Sequence, residues 1–196
     1  LNLLIALKEN GFRTIVLINS SYAMELGFID QEEYGIEAAM WIGGPGIAGA
    51  TAIGEALTGK INPSGRLVDT YAYDLTTQST YHTSDYNYYY SAEDVTKILG
   101  GFSNYSEGIY VGYRWYETAD AEGFWDNISN EYGNGYNGVV QYPFGYGMSY
   151  TTFLQKIISA EEKDGVVNFE VEVTNTGDTY AGKDVIQLYC ETPYTQ

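Results

Sequence analysis

Apolar runs and turn-forming residues alternate along the first third of the chain. Residues 1–10 have the spacing of a helix that ends at Gly11, a residue that suits a helix C-terminus. Residues 14–18, TIVLI, are typical of a strand buried on both faces of a parallel sheet. Residues 38–42 predict a second such strand, and residues 47–57 predict a helix rich in alanine and glycine. This order of elements indicates an α/β layer.

The last third of the chain has the pattern of antiparallel strands. Residues 151–158 predict a strand, residues 167–173 alternate apolar and polar side chains, and residues 184–189 predict a third strand. Turn sequences at 163–165 and 175–178 separate them. Such a series is typical of the opening of a β-sandwich. Three strands cannot close a sandwich, so we expect the domain to continue beyond the chain.

The middle of the chain, residues 71–147, is rich in Tyr, Asn, Ser and Gly. It shows one short helical pattern at residues 92–99, and residues 126–138 are interpreted as a surface insertion. A stretch of this length without regular structure is uncommon unless it is functional. We therefore interpret it as an ordered, aromatic-rich connection rather than a flexible tether.

Composition restricts the classes of partner. The 196-residue chain carries 26 acidic against 9 basic residues, a net charge of −17, and such a surface repels nucleic acid. The single cysteine, Cys190, excludes a disulfide within the chain and a cysteine-based zinc site. No apolar run is long enough to span a membrane, and residues 1–7 do not resemble a signal peptide. The compartment stays open between the bacterial cytoplasm and secretion.

Glycines at residues 44–49, GPGIAG, permit two interpretations. They fit G-x-G-x-x-G before a helix, and Asp69 lies where a ribose-binding acid would stand in a dinucleotide site. Against that site, Pro45 removes a backbone donor, and no Rossmann repeat follows the extended stretch expected at 66–69. Ala50-Thr51 also excludes a P-loop. We favour the second interpretation, in which small residues let the helix pack closely on its neighbours.

Four segments, taken in order, resemble glycoside hydrolase family 3. They are WIGGPGIAGATAIGEALTGKINPSGRL at residues 41–67, YSEGIYVGYR at 105–114, YPFGYGMSYTTF at 142–153, and VTNTG with GKDVIQLY between 173 and 189. The resemblance implies a partial α/β sandwich with a mostly parallel sheet, a Tyr-rich irregular segment, and the first strands of a fibronectin-III-like β-sandwich. It implies domain boundaries at residues 1–74, 75–147 and 148–196.

The same resemblance implies a retaining β-glucosidase or β-xylosidase that hydrolyses terminal β-glycosidic bonds without metal or organic cofactor. Retention requires two carboxyl groups about 5–5.5 Å apart. In the family the nucleophile is an Asp on a TIM-like barrel, and the acid/base Glu precedes the first helix seen here. Both would lie outside the chain, which alone would be inactive. We expect a carbohydrate substrate, and a barrel of the same polypeptide as the partner domain, placed before or after this segment.

Within the chain, Glu107 is the one candidate catalytic carboxylate, because aromatic burial can raise the pKa of a proton donor. We favour a structural role for it that fixes the loop, either as an ion pair with Arg114 or as an acceptor of backbone hydrogen bonds, and we expect Arg114 to form a buried ion pair. Aromatic residues around it can stack on sugars or pack one domain on another, and we favour domain docking. These candidates for substrate lining or docking are Tyr105, Tyr110, Tyr113, Arg114, Trp115 and Tyr116.

Two further chemistries have little support. His82 is the only histidine, and no nucleophile-elbow motif accompanies it. Residues 126–138 are oxygen-rich but lack the spacing of a calcium loop, so no metal site is predicted. The alternative function is a non-catalytic carbohydrate-binding or adhesion module that uses the same aromatic residues. A coding sequence for a barrel beside this segment would favour the enzyme.

Overall fold

The computed structural model describes residues 1–81 and 105–190. The chain divides into two compact units. The first takes in the described residues of Leu1–Gly44 and Leu67–Phe144, and the second those of Pro45–Arg66 and Gly145–Gln196. The predicted boundaries at 74 and 147 stay a prediction. The helical pattern at residues 92–99 lies outside the described residues.

The first unit begins with helix α1 (Asn2–Glu9) and the parallel strands β1 (Thr14–Ile18) and β2 (Ile36–Trp41). Gly11, at φ 74°, lets the chain turn out of α1 because glycine adopts this left-handed conformation without a steric penalty. The predicted helix, both strands and the parallel pairing are therefore confirmed.

Burial along β1 differs from the prediction. Ile18 is 8% exposed, whereas Ile15 and Leu17 on the opposite face are 52% and 39% exposed. The buried face packs against Leu26 and Tyr71. The expectation of a strand buried on both faces is therefore wrong for the described residues, because a two-stranded sheet is covered here on one face.

The Tyr-rich part of the first unit contains a helix that the sequence pattern did not predict, α3 (Tyr113–Ala121). Tyr116 and Ala119 lie three residues apart on one side of α3 and are buried at 1% and 4% exposure. They form a core with Trp125 and Val140, and both of these side chains are buried as well. The helix depends on this packing, because a helix of nine residues is marginal in water on its own.

Two short strands frame this core, β3 (Tyr71–Ala72) and β4 (Val140–Tyr142), and they pair antiparallel. The extended stretch expected at residues 66–69 is absent, since the strand starts at Tyr71. The pairing is antiparallel, and within residues 1–81 and 105–190 no third parallel strand follows the glycine cluster. The described residues therefore do not build the repeat that a dinucleotide site requires, and that interpretation is wrong.

The second unit holds helix α2 (Gly49–Leu57) and an antiparallel hairpin of β5 (Phe153–Lys163) and β6 (Val166–Asn175). The two-residue loop Asp164-Gly165 has φ of 56° and 76°, as a type I′ turn needs, and Asp-Gly is a preferred pair there. The predicted helix and these two strands are confirmed. The third strand expected at 184–189 is wrong, since these residues carry no strand pairing among the described residues.

The close packing expected of the small residues at 43–59 holds at three of the six glycines. A Cβ at Gly44, Gly46 or Gly54 would have no described atom within 4 Å. Glycine at position 46 is explained by backbone conformation instead, since its φ of 63° is one that other residues rarely adopt. Gly49 does sit tightly, because a Cβ there would lie 2.6 Å from that of Pro45. Gly43 and Gly59 are tight as well, since a Cβ would lie 3.0 Å from the Trp41 ring and 2.9 Å from the Tyr180 hydroxyl. The packing interpretation is therefore confirmed for part of the cluster only.

Candidate functional site

A cleft of about 310 Å³ lies within the first unit, where four chain segments meet. Tyr22 comes from the loop after β1, and Asp69 and Thr70 come from the approach to β3. Residues 75–80 form another wall, and the start of α3 closes the cleft with Trp115. The cleft thus joins positions that lie more than ninety residues apart in the sequence.

Local capping shapes two walls of this cleft. Asp74 caps the 3₁₀ turn Leu75–Thr77, because its Oδ1 accepts a hydrogen bond from the Thr76 amide at 2.8 Å. Gly112 is the N-cap of helix α3, and its φ of 57° and ψ of −134° are open almost only to glycine. Both features turn the chain sharply, and they bring the 3₁₀ turn and the helix start to the same cleft.

The two walls are also joined by hydrogen bonds. The Trp115 indole Nε1 donates to the Thr77 carbonyl at 2.8 Å, and the hydroxyls of Thr77 and Tyr116 lie 3.1 Å apart. Burial raises the pKa of the Tyr116 phenol, although the Thr77 hydrogen bond opposes this. The phenol is therefore neutral at physiological pH and can donate to a hydroxyl.

One polar group at the cleft has no hydrogen-bond partner among the described residues. Thr70 is 4% exposed, and its Oγ1 makes no hydrogen bond to any described residue. Buried hydroxyls in proteins are normally paired, so an orphan of this kind requires an explanation. By contrast, the neighbouring Ser79 hydroxyl donates to the Tyr110 carbonyl at 2.5 Å.

The structure separates the residues that the sequence put forward as one aromatic site. Trp115 is half-buried at the cleft, whereas Tyr105 and Tyr110 are 77% and 40% exposed. The Tyr113 ring lies 4.7 Å from that of Phe144.

Glu107 is half-buried, and its backbone carbonyl accepts from the Tyr110 amide at 3.1 Å. Arg114 is exposed. No ion pair joins Glu107 to Arg114 among the described residues, so the buried pair expected there is absent.

Sequence reasoning missed most of the cleft. Tyr22, Thr70, Gln78 and Ser79 belong to no motif, and Asp69 was considered only for ribose binding. Their sequence spacing contains no signal, because only the folded chain brings them together.

Other chemistries find no support in residues 1–81 and 105–190. No group of three or more His, Cys, Asp or Glu side chains there could hold a metal ion. None of the helices described is long and apolar enough to cross a membrane. His82 lies outside these ranges.

Comparison with known protein families identifies the chain over its first half. The model of the glycosyl hydrolase family 3 C-terminal domain matches residues 1–113. A beta-glucosidase of Ruminococcus albus is 33% identical over 186 residues, which is 95% of this chain and 16% of that protein. Thermostable beta-glucosidase B of Acetivibrio thermocellus is 33% identical over 179 residues, 89% of this chain and 19% of that protein.

Solved structures agree with these relatives. A beta-glucosidase from Paenibacillus barengoltzii matches with a TM-score of 0.64 and 28% identity, over 87% of this chain and 16% of that one. Beta-glucosidase 3B from Thermotoga neapolitana matches with a TM-score of 0.65 and 26% identity, over 90% of this chain and 21% of that one. The chain thus spans about a fifth, or less, of the proteins it matches.

These matches confirm the fold class expected from the sequence, an α/β part followed by the strands of a fibronectin-III-like sandwich. They run through nearly the whole chain, including the part beyond residue 113. The family model alone covers more than half of the residues. The chain therefore belongs to glycoside hydrolase family 3.

Proposed function

We propose that this chain is part of a retaining glycosidase that hydrolyses terminal β-glycosidic bonds, of the β-glucosidase or β-xylosidase type. The observation that carries the proposal is that its relatives are beta-glucosidases and match 89% to 95% of this chain. A segment held in common over that length, within proteins about five times longer, is best explained as a structural part of the same enzyme.

The reaction itself is proposed to take place on groups outside residues 1–196. A double displacement requires a nucleophilic carboxylate and a second carboxyl that acts first as acid and then as base. By family resemblance, the nucleophile Asp lies on a TIM-like barrel and the acid/base Glu precedes Leu1. The chemistry requires neither a metal nor an organic cofactor. This chain alone is therefore expected to be inactive.

The exposed aromatic residues of the connecting segment have a proposed role in docking. Tyr105 and Tyr110 expose large ring surfaces, and Ile109 between them is 62% exposed. Patches of this composition are typical of surfaces that another protein part covers. We propose that the barrel of the same polypeptide packs against them.

Two preparations test the proposal, the 196-residue chain and the complete polypeptide from the same gene. Each is assayed with p-nitrophenyl β-glucoside and β-xyloside, and the anomer first released is identified by NMR. We expect turnover with retention from the complete polypeptide and none from the chain alone. Turnover by the chain alone would refute the placement of the carboxylates. Sugar binding without turnover by the complete polypeptide would favour the binding or adhesion module instead.

Glu107 receives a separate test, with Glu107→Gln in the complete polypeptide. A general acid or base contributes about 10² to 10⁴ in rate, so loss of that role would be plain. We expect kcat/KM to stay within about threefold, as for the matched surface variant Glu131→Gln, because neither carboxylate is proposed to touch the reacting atoms. A loss of a hundredfold or more that azide restores would make Glu107 the acid/base residue.

A further inference from the structure

The cleft at the start of α3 has no part in the proposed bond cleavage. We propose that it is a binding site for a single neutral pyranose ring. Its volume of about 310 Å³ lies at the lower end of the range for small-molecule sites, roughly 300 to 1,000 Å³. The cleft therefore has room for one sugar ring and not for an extended oligosaccharide.

The polar lining suits a ligand that carries several hydroxyls. The orphan Thr70 hydroxyl can donate to or accept from a ligand hydroxyl, which would satisfy it. Asp69 offers two carboxylate oxygens, and the amide of Gln78 offers both a donor and an acceptor. These complementary groups match adjacent hydroxyls on a ring, each of which both donates and accepts.

An aromatic ring held rigidly in place forms the apolar wall. The Trp115 ring packs edge-on against Phe124 at 5.7 Å and Trp125 at 6.0 Å, in addition to its bond to Thr77. A side chain already fixed in this way loses little conformational entropy when a ligand binds. The C–H face of a pyranose is apolar and packs well on such a ring.

The negative charge at the cleft and of the whole chain disfavours anionic ligands. Asp69 lies at the cleft, and the chain carries a net charge of −17. A phosphate or a uronate would be repelled by both. The other polar lining groups are uncharged hydroxyls and an amide, which favours a neutral polyol over a cation.

The test titrates the 196-residue chain with methyl β-D-glucopyranoside, followed by tryptophan fluorescence and ligand-observed NMR. For a ligand of this size we expect a Kd of about a millimolar. Thr70→Val removes the orphan hydroxyl and preserves the side-chain shape. Thr14→Val is the matched control, because Thr14 Oγ1 in β1 is also buried without a partner among the described residues but lies away from the cleft.

We expect Thr70→Val to raise Kd at least fivefold and Thr14→Val to leave it unchanged, with both variants as stable as the parent chain. Asp69→Asn, at an exposed position that does not endanger folding, should also weaken binding. No saturation up to 100 mM would overturn the proposal, as would equal Kd values for the parent chain, Thr70→Val and Asp69→Asn. The ligand class follows from the cleft alone, so absence of binding would leave the proposed glycosidase role standing, and an inactive complete enzyme would leave this site standing.

Discussion

Breaking the ion pair between Arg66 and Asp184 should selectively loosen the second unit. Arg66 Nη2 lies 2.8 Å from Asp184 Oδ1, and the two side chains are only 15% and 10% exposed. Gln155 donates to the other carboxylate oxygen at 2.7 Å. Asp184 therefore joins the segment after α2, strand β5 and the chain beyond β6, and its loss would leave Arg66 largely buried without a counter-charge.

A second, more exposed ion pair in the same chain allows the coupling energy of the Arg66–Asp184 pair to be compared. Arg13 and Glu37 form an ion pair of similar length, 2.6 Å, but their side chains are 85% and 46% exposed. Exposed pairs contribute about 0.2–1 kcal/mol, because water and salt screen them. Hydrogen bonds to charged groups that are shielded from water contribute about 1.5–3 kcal/mol. We therefore expect a coupling energy of about 1.5–3 kcal/mol between Arg66 and Asp184.

Two double-mutant cycles measure this difference, one with Arg66→Gln and Asp184→Asn, and one with Arg13→Gln and Glu37→Gln. Amide hydrogen exchange in peptides from β5 and β6 reports the first cycle, and peptides from β1 and β2 report the second. A coupling of about 2 kcal/mol corresponds to roughly thirtyfold faster exchange. A coupling below about 0.5 kcal/mol for Arg66 and Asp184, equal to that of the exposed pair, would refute the reasoning.

The same carboxylate predicts a pH dependence. The hydrogen bond from Gln155, with the Val185 amide and the Arg66 guanidinium, holds the pKa of Asp184 below its ordinary value. Because the folded pKa is lowered, the stabilisation is fully present above about pH 4 and is lost as the pH falls through the folded pKa. Exchange at β5 and β6, expressed relative to the intrinsic rate of unprotected amides at the same pH, should accelerate below about pH 4 in the parent chain. Asp184→Asn should remove this acid dependence, and an unchanged profile would contradict it.

Three substitutions test the local packing and the phenol chemistry. A Cβ at Gly147 would lie 2.4 Å from a backbone carbonyl, so Gly147→Ala should destabilise the chain by about 1–3 kcal/mol in urea unfolding. Gly54→Ala, in open space on α2, should stabilise it by about 0.5–1 kcal/mol, and the opposite order would contradict the packing. Burial, with the hydrogen bond to Glu117, raises the pKa of the Tyr136 phenol. The neutral phenol therefore stabilises the fold below about pH 10, and this contribution is lost as the pH rises through the folded pKa. Tyr136→Phe should remove one late phenolate from the 295 nm titration, and an unaltered curve would count against it.

Several elements could be predicted because their signals are local. The helix α2, the strands β1 and β2, and the hairpin of β5 and β6 follow from side-chain periodicity and turn residues. The Asp164-Gly165 turn alone sets the two-residue connection of the hairpin. The order of four motifs was likewise sufficient to indicate the family.

Other features could not be predicted, because distant contacts decide them. Helix α3 has only nine residues, too few to be stable alone, and it forms where Tyr116 and Ala119 pack into a core with Trp125. The strand pattern at residues 184–189 is not realised, and Asp184 instead bonds to Arg66, which lies 118 residues earlier. A periodic pattern states which side chains could be buried, but not which partner will bury them.

The sequence by itself indicated the protein family, several of the helices and strands, and, through its negative charge, that nucleic acid is not a partner. Only the tertiary structure decided that Tyr22, Thr70 and Trp115 line one cleft, and that the Thr70 hydroxyl stands there without a partner among the described residues. The physical reason is that helices, hairpins and turns are specified by neighbours a few residues apart. A cleft is specified by side chains that meet only after the chain has folded.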